Sequence, residues 1–292
     1  MKKSKAEIIG MIINGVALFL IAFTTIYPFW HVLMYSISDS QQASAGGLFF
    51  LPKGLDITGY ELVLKQPQLY NAYWNTIART AVGTLLSVIL TAMLAYPLSL
   101  PRLKGRRFLC IAIFFTMLFN GGMIPTYLLV NDLHMIDTFW ALVIPNAMSA
   151  YNLFIMRNYF QSIPASLEES ARIDGANPIT ILFRIILPIS TPTLAAVGMF
   201  YGVSNWNAYL DGVLYINNND LQILQVYLRN LFSSAGSGAV LSGVQGISDA
   251  AKVTEETLKM VTISVSVIPI LIIYPYLQKY YTTGITTGAV KG

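Results

Sequence analysis

The sequence predicts an all-α membrane protein, and three observations carry that prediction. Hydrophobic residues make up 55% of the 292 residues and charged residues only 11%, whereas soluble proteins have about 25% charged residues. Six apolar stretches each reach the roughly 20 residues that a helix needs to cross the hydrocarbon core. Between the fourth and fifth stretches lies a polar segment in which Glu, Arg and Asp are closely spaced.

The six predicted spans form one domain over residues 1–292. They cover residues 11–36, 74–100, 108–130, 138–157, 190–215 and 258–278. The first span follows three lysines and resembles a signal peptide, but it is too long for one, so we interpret it as a retained span. Long outer loops are expected at 39–72 and 216–257. The second of these is either a loop that contacts a partner or a merely solvated one.

Basic residues predict that both termini are cytoplasmic. With the N-terminus inside, most Lys and Arg fall on the cytoplasmic side, including the groups at 2–5 and 102–107, while most acidic residues fall outside. This asymmetry is typical of multi-pass proteins. It also explains the basic pI of about 9.0, so nucleic-acid binding is not predicted.

Several spans contain residues that interrupt helices. Each such proline removes a helix hydrogen bond, which favours kinked helices around a cavity. The alternative is that Pro and Gly are simply commoner in membrane helices. The residues concerned are Pro28, Pro97, Pro125, Pro145, Pro269 and the pair Gly121–Gly122.

The polar segment at 158–189 predicts two short helices that meet at a sharp corner. Ser166 and Glu169 have the spacing of a capping box, which predicts a helix that begins near Ser166. Gly175 is suited to end that helix in the left-handed conformation. Asn177–Pro178 then predicts a new helix, with Asn as N-cap and Pro at the first helical position. The residues alone leave two interpretations open, a helix that docks in the groove of a partner and an ordinary amphipathic loop.

This segment resembles the EAA loop of ABC importer permeases. The family pattern is Glu-Ala-Ala, three residues, Gly, nine residues, Ile, one residue, Leu-Pro. The chain matches it with Glu169-Ser170-Ala171, Gly175, Ile185 and Leu187-Pro188, and Ser170 is the one departure. The run Asp174-Gly175-Ala176 and the tail 283–292 further resemble the smaller permease of the maltose-type carbohydrate-uptake subgroup. The likeness covers nearly the whole chain.

The resemblance implies the type I ABC importer permease fold, with six transmembrane helices and a cytoplasmic coupling helix. It implies a bacterial inner-membrane subunit that works by alternating access with a second, different permease, two ATPase subunits and an extracytoplasmic sugar-binding protein. ATP and Mg would bind to the ATPase, and the cargo would be a carbohydrate, namely an oligosaccharide. The residues that would contact the ATPase are Glu168, Glu169, Ser170, Ala171, Asp174 and Gly175. The tail would reach between the ATPase subunits, and the loop 216–257 would enter the binding protein.

No catalytic, metal or cofactor site is predicted in this chain. No phosphate-binding G-x-x-x-x-G-K-[ST] pattern occurs, so ATP hydrolysis is expected on a separate subunit. The one cysteine, Cys110, cannot form an intramolecular disulfide. His31 and His134 lie about a hundred residues apart, which does not favour a metal site or a catalytic triad.

Sugar passage needs hydrogen-bonding and aromatic side chains along a wet path, because polar groups inside a membrane are costly elsewhere. The same side chains can instead hydrogen-bond to neighbouring helices. The cluster at 205–209 is the strongest candidate, because it holds two amides and two aromatic rings. The candidates are Asn120, Asn146, Tyr151, Asn152, Asn205, Trp206, Asn207 and Tyr209.

The main alternative is an ion-coupled secondary transporter. That class predicts inverted repeats and buried ionisable residues near the middle of the membrane. Almost no such residues are recognised in the spans, and Asp211 is expected toward the outer end of the fifth span. An intramembrane enzyme is a third class, for which no catalytic set is found.

Overall fold

The computed structural model describes residues 4–233, 253–269, 271 and 272, and the described residues form helices without any β-strand. The longer helices are α1 (Lys5–Ser36), α2 (Ser40–Ser44), α3 (Thr58–Leu64), α4 (Pro67–Ser99), α5 (Arg106–Leu118), α6 (Met123–Asp132), α7 (Ala150–Ser162), α8 (Ala165–Ile173), α9 (Pro178–Ile189), α10 (Thr191–Asn207), α11 (Leu210–Tyr215), α12 (Leu224–Ser233) and α13 (255–269). The predicted tail 283–292, the middle of the loop 216–257 and the end of the span 258–278 lie outside the described residues.

The chain divides into two compact units. The first contains Met1–Leu69 and Leu228–Ile270, and the second contains Tyr70–Tyr227 and Leu271–Gly292. In the first unit, the most apolar window of α1 has no buried residue. The end of α1 packs Met34 and Tyr35 against Phe49 and, from α13, Met260. The Ser264 hydroxyl, also on α13, donates to Ser36 Oγ at 3.2 Å.

The core of the second unit is built where α4, α7, α8, α9 and α10 meet. Small residues of α4 allow the other helices to approach closely, as is typical of membrane helix packing. The buried residues of this cluster are Ala92, Ala95, Tyr96, Met156, Phe160, Ala171, Ile181, Leu182, Ile186, Val197 and Tyr201. The predicted cytoplasmic hairpin is therefore packed against the helices that precede and follow it.

The predicted span 108–130 is sharply bent, and so is the junction that precedes the span 190–215. The span 190–215 is itself interrupted, because α10 ends at Asn207 and α11 begins at Leu210. The axes of α5 and α6 differ by 112°, and those of α9 and α10 by 87°. At the first bend Gly122 has φ +92°, and Asn120 Oδ1 accepts a hydrogen bond from the Gly122 N–H at 2.9 Å. Glycine adopts a positive φ without steric cost, so Gly122 permits the turn while Asn120 satisfies an exposed amide.

The predicted span 138–157 is not one continuous helix. A short 3₁₀ turn at Phe139–Leu142 is followed by irregular chain around Pro145, and α7 begins only at Ala150. Pro145 has no N–H to donate, so it does not continue a helix at low cost. The Ser149 side chain caps α7 by accepting from the Asn152 N–H at 3.4 Å.

Two described helices are long and apolar enough to cross a bilayer, Glu7–Ser36 and Pro67–Ser99, and there are four spans if each bent pair counts as one. Helical membrane architecture is thus confirmed. The count of six spans stays a prediction.

Candidate functional site

The first helix of the hairpin at 158–189, which was predicted to be cytoplasmic, is α8. It begins at Ala165 after Pro164, and no side chain caps its N-terminus. The predicted capping box between Ser166 and Glu169 is therefore wrong, because Ser166 lies inside the helix rather than at its N-cap. Glu168 instead lies in the first turn, where a carboxylate interacts favourably with the positive end of the helix dipole.

The corner of the hairpin is a Schellman turn around Gly175. The Gly175 N–H donates to the Arg172 carbonyl at 3.0 Å, and the Ala176 N–H donates to the Ala171 carbonyl at 2.9 Å. Gly175 has φ +81°, and a Cβ at that position would meet no atom within 4 Å. The predicted left-handed stop is confirmed. Gly175 is needed there for its backbone conformation and not for space inside the chain.

The second helix of the hairpin starts as predicted. Asn177 Oδ1 accepts from the Thr180 N–H at 2.8 Å, and Pro178 occupies the first turn. The middle of α9, at Leu182–Ile186, is a π-helical turn in which the Leu187 N–H donates to the Leu182 carbonyl. Pro188 follows directly and cannot donate to the carbonyl four residues back. A π turn is one way to accommodate such a break.

Glu168 connects the hairpin to α4 and to the loop that follows α4. Its Oε1 accepts from the Tyr96 hydroxyl at 3.0 Å and from Arg172 Nε at 3.1 Å. It also forms an ion pair with Arg102. The Glu168 side chain is only 13% exposed, so these donors compensate for the water that the carboxylate has lost.

The other predicted coupling residues divide into one buried and four exposed positions. Ala171 is buried in the core cluster beside Tyr96. Glu169, Ser170, Asp174 and Gly175 are exposed. Ile173, which sequence reasoning missed, is 87% exposed one turn after Glu169. One face of α8 is thus fixed to the chain, and the opposite face presents carboxylates and a large apolar side chain.

We expect Glu168→Gln to lower the stability of the protein by about 1 kcal/mol, because the neutral amide loses two ion pairs that include half-exposed arginines. Glu169→Gln, one residue along the same helix, is the matched control and should change stability by less than about 0.5 kcal/mol. Thermal unfolding of the purified protein in detergent measures both. Equal effects of the two substitutions would contradict the assigned role of Glu168.

The first four substrate-path candidates lie in different environments. Asn120 and Tyr151 are exposed, and Asn152 is buried. Asn146 is exposed, and its Nδ2 lies 3.4 Å from Asp211 Oδ2. Asn120 is accounted for by the bend between α5 and α6 described above. The Tyr151 side chain is 59% exposed.

The residues of the cluster at 205–209 also differ in exposure. Asn205 and Trp206 are buried. Asn205 packs closely against Gly83, where an added Cβ would lie 3.0 Å from Asn205 Nδ2. The same Nδ2 lies 3.5 Å from Thr84 Oγ1. Asn207 and Tyr209 are exposed, although Asn207 Nδ2 donates to the Val203 carbonyl at 3.0 Å. The two amides and two aromatic rings therefore do not share one surface.

Arg79 and Asp211 form a buried ion pair that was not predicted from the sequence. Their side chains are 1% and 7% exposed, and Arg79 Nη1 also donates to the Ala208 carbonyl at 3.1 Å. Asp211 Oδ1 accepts from the Gly212 N–H at 2.9 Å. The signal was present, since Arg79 is an isolated cation within the apolar stretch 74–100, and such residues are usually paired.

We expect Asp211→Asn to destabilise the protein by about 3–5 kcal/mol, because it leaves the Arg79 guanidinium buried without a counter-charge. The double variant Arg79→Met/Asp211→Leu removes both charges and should recover a large part of that loss. Thermal unfolding of both variants tests the pair. A double variant as unstable as Asp211→Asn would argue against an energetic coupling between the two side chains.

The fold and the hairpin together define a class of protein, the membrane-embedded subunit of a transport system. Residues 72–287 match the family described as binding-protein-dependent transport system inner membrane component. This match covers well over half of the chain, and the chain belongs to that family. It is a transport permease and not an enzyme.

Curated relatives point to the same class. The chain is 38% identical to the polygalacturonan/rhamnogalacturonan transport system permease protein YtcP of Bacillus subtilis (strain 168), over 99% of this chain and 100% of that protein. It is 27% identical to the arabinooligosaccharides transport system permease protein AraQ of Halalkalibacterium halodurans, over the full length of both.

Solved structures agree with the fold. A chain of a bacterial ABC transporter involved in the import of the acidic polysaccharide alginate superimposes with a TM-score of 0.88 at 36% identity, over 96% of this chain and 99% of that chain. A second chain comes from the alginate ABC transporter in complex with a pentasaccharide-bound periplasmic protein. It has a TM-score of 0.53 at 14% identity, and this likeness concerns the fold alone.

These comparisons confirm the predicted resemblance to ABC importer permeases of carbohydrate uptake. They give no support to the alternative of an ion-coupled secondary transporter. The roles of individual coupling and substrate-path residues stay predictions.

Proposed function

We propose that this chain is one of two different permease subunits of an ATP-driven importer for oligosaccharides that carry carboxylate groups. A separate ATPase with bound ATP and Mg supplies the energy, and an extracytoplasmic binding protein delivers the sugar. Both termini lie in the cytoplasm of a bacterial cell. The observation that carries the proposal is the hairpin, which is fixed to α4 on one side and exposed on the other.

The exposed face of α8 is suited to a cleft on the ATPase. Glu169 and Ile173 are one turn apart and both exposed, so a single docking surface offers a charge and an apolar anchor. The opposite face holds Ala171 in the core and Glu168 on its three donors. Movement of a docked α8 would therefore pull on α4 and would not be absorbed by the hairpin.

Alternating access follows from differential affinity. A ligand shifts a conformational equilibrium only to the extent that it binds one state more tightly than the other. ATP on the ATPase and the loaded binding protein must both favour the outward-facing state, and ATP hydrolysis restores the inward-facing state.

The substrate class is inferred from the relatives at 38% and 36% identity. The first is named for polygalacturonan and rhamnogalacturonan, and the second is described with the acidic polysaccharide alginate. Both cargoes are polysaccharides that contain acidic sugars. The relative named for arabinooligosaccharides is more distant, at 27% identity, so an acidic oligosaccharide is the better-supported cargo.

The coupling role is tested at Gly175. We expect Gly175→Val to reduce both sugar uptake and ATPase stimulation by the binding protein several-fold, because a β-branched residue at φ +81° costs at least about 1–2 kcal/mol and opens the corner. Gly175→Asn is the matched control, since Asn tolerates the left-handed conformation, and it should stay close to the unsubstituted protein. Unchanged activity of Gly175→Val would overturn the assignment.

The partner set is tested by purification from the native membrane. We expect an ATPase and a second permease to copurify with the tagged chain, and vesicles containing the complex to take up labelled oligogalacturonate only with ATP and the binding protein. Uptake driven by a proton or sodium gradient without ATP would favour the secondary transporter. ATP-dependent uptake of neutral oligosaccharides alone would overturn the acidic cargo and leave the importer intact.

A further inference from the structure

A cavity of about 1010 Å³ lies between α5 and α7. One end of it is basic, because it is lined by Arg106, Arg107 and Arg157. The remaining wall is mainly apolar, with Phe114 and Phe154 among its residues. None of the predicted coupling residues lines this cavity, and Tyr151 is the only substrate-path candidate that does.

The apolar wall has the depth of one bilayer leaflet. On α5 the lining positions from Arg107 to Met117 recur every three or four residues, which places them on one face of the helix. Ten residues of α-helix span about 15 Å, and half of a hydrocarbon core of about 30 Å is the same length. The wall can therefore accompany an acyl chain from its head group to the middle of the membrane.

The basic end lacks a counter-charge in the part of the chain that the structure describes. No ion pair is found there for Arg106, Arg107 or Arg157, whereas Arg79, Arg102 and Arg172 each have a carboxylate partner.

Neutral groups hold one of these arginines in position. Arg157 Nε donates to the Leu98 carbonyl at 2.9 Å. Its Nη2 lies 3.2 Å from the oxygen of a suitably oriented Gln161 amide, which also accepts from Arg106. The guanidinium groups are thus positioned while their charge stays uncompensated.

We propose that this cavity binds one anionic phospholipid, with its phosphate at the three arginines and an acyl chain along α5 and α7. Basic cavities between membrane helices on the cytoplasmic side suit anionic head groups. The proposal rests on the proposed function only in assigning the lipid to the cytoplasmic leaflet. The transported sugar fits less well, because an aliphatic and aromatic wall offers few hydrogen-bonding groups to its hydroxyls.

The single cysteine of the chain gives a direct readout. Cys110 lines the same cavity, one turn from Arg106 and Arg107. We expect phosphatidylglycerol in nanodiscs to slow the modification of Cys110 by a maleimide, compared with nanodiscs of phosphatidylcholine. The assembled transporter is used, and the labelled Cys110 peptide is quantified by mass spectrometry.

Substitutions separate a specific site from general attraction to charge. We expect Arg107→Gln to weaken the phosphatidylglycerol-dependent protection about fivefold. Lys104→Gln is the matched control, because it removes the same charge from the same segment but does not line the cavity; protection should be retained. Arg106→Gln is the second variant, to be used if Arg107→Gln does not assemble.

Three results would overturn the proposal. Equal protection of Cys110 by phosphatidylglycerol and phosphatidylcholine would show that the arginines do not select an anionic head group. Complete protection of Cys110 in every lipid would indicate that another subunit covers the cavity. Protection by added oligogalacturonate in phosphatidylcholine would assign the cavity to the sugar path. ATP-dependent uptake is measured separately, so failure of the lipid site and failure of the importer function are distinguishable.

Discussion

The hydrogen bonds and ion pairs of the Glu168 carboxylate are the interactions on which the position of the hairpin in the second unit depends. The carboxylate joins α8 to Tyr96 on α4, to Arg102 in the next loop and to Arg172 on its own helix. A hairpin attached by apolar packing alone could slide, because such contacts have little directionality. Two of these donors, Tyr96 and Arg102, lie outside α8, and together they fix its orientation. Since α4 is a continuous helix of 33 residues, about 50 Å long, a force on the hairpin reaches deep into the membrane.

The membrane imposes a second constraint, because backbone groups freed by a helix break find no water in hydrocarbon. Three of the breaks in the described helices have a polar side chain that binds a backbone group. Asn120 accepts from the amide of Gly122, and the Ser149 side chain caps α7. The Ala208 carbonyl is satisfied by Arg79, which comes from a distant part of the sequence. Polar residues that resemble a sugar path in the sequence are thus partly explained as supports of interrupted helices.

The local features of the hairpin were predictable, because Gly175 and the Asn177–Pro178 pair act through their own backbone geometry. The family was predictable from the spacing of Glu169, Gly175 and Leu187–Pro188. The predicted cap at Ser166 was wrong, since Pro164 is the N-cap and the helix begins two residues earlier than a cap at Ser166 would place it. Contacts between residues that are distant in the sequence could not be predicted either. Nothing near Arg79 in the sequence indicates Asp211, and the separation of buried Asn205 from exposed Asn207 depends on which helix approaches each face.

The bond between Arg79 and the Ala208 carbonyl has one more consequence. It ties a kink in one helix to a cation on another, 129 positions earlier in the chain. If α10 and α11 straightened into a single rod, the carbonyl would return to an ordinary intrahelical partner, and the guanidinium would lose an acceptor in a medium of low dielectric constant. This hydrogen bond therefore opposes straightening of the kink between α10 and α11.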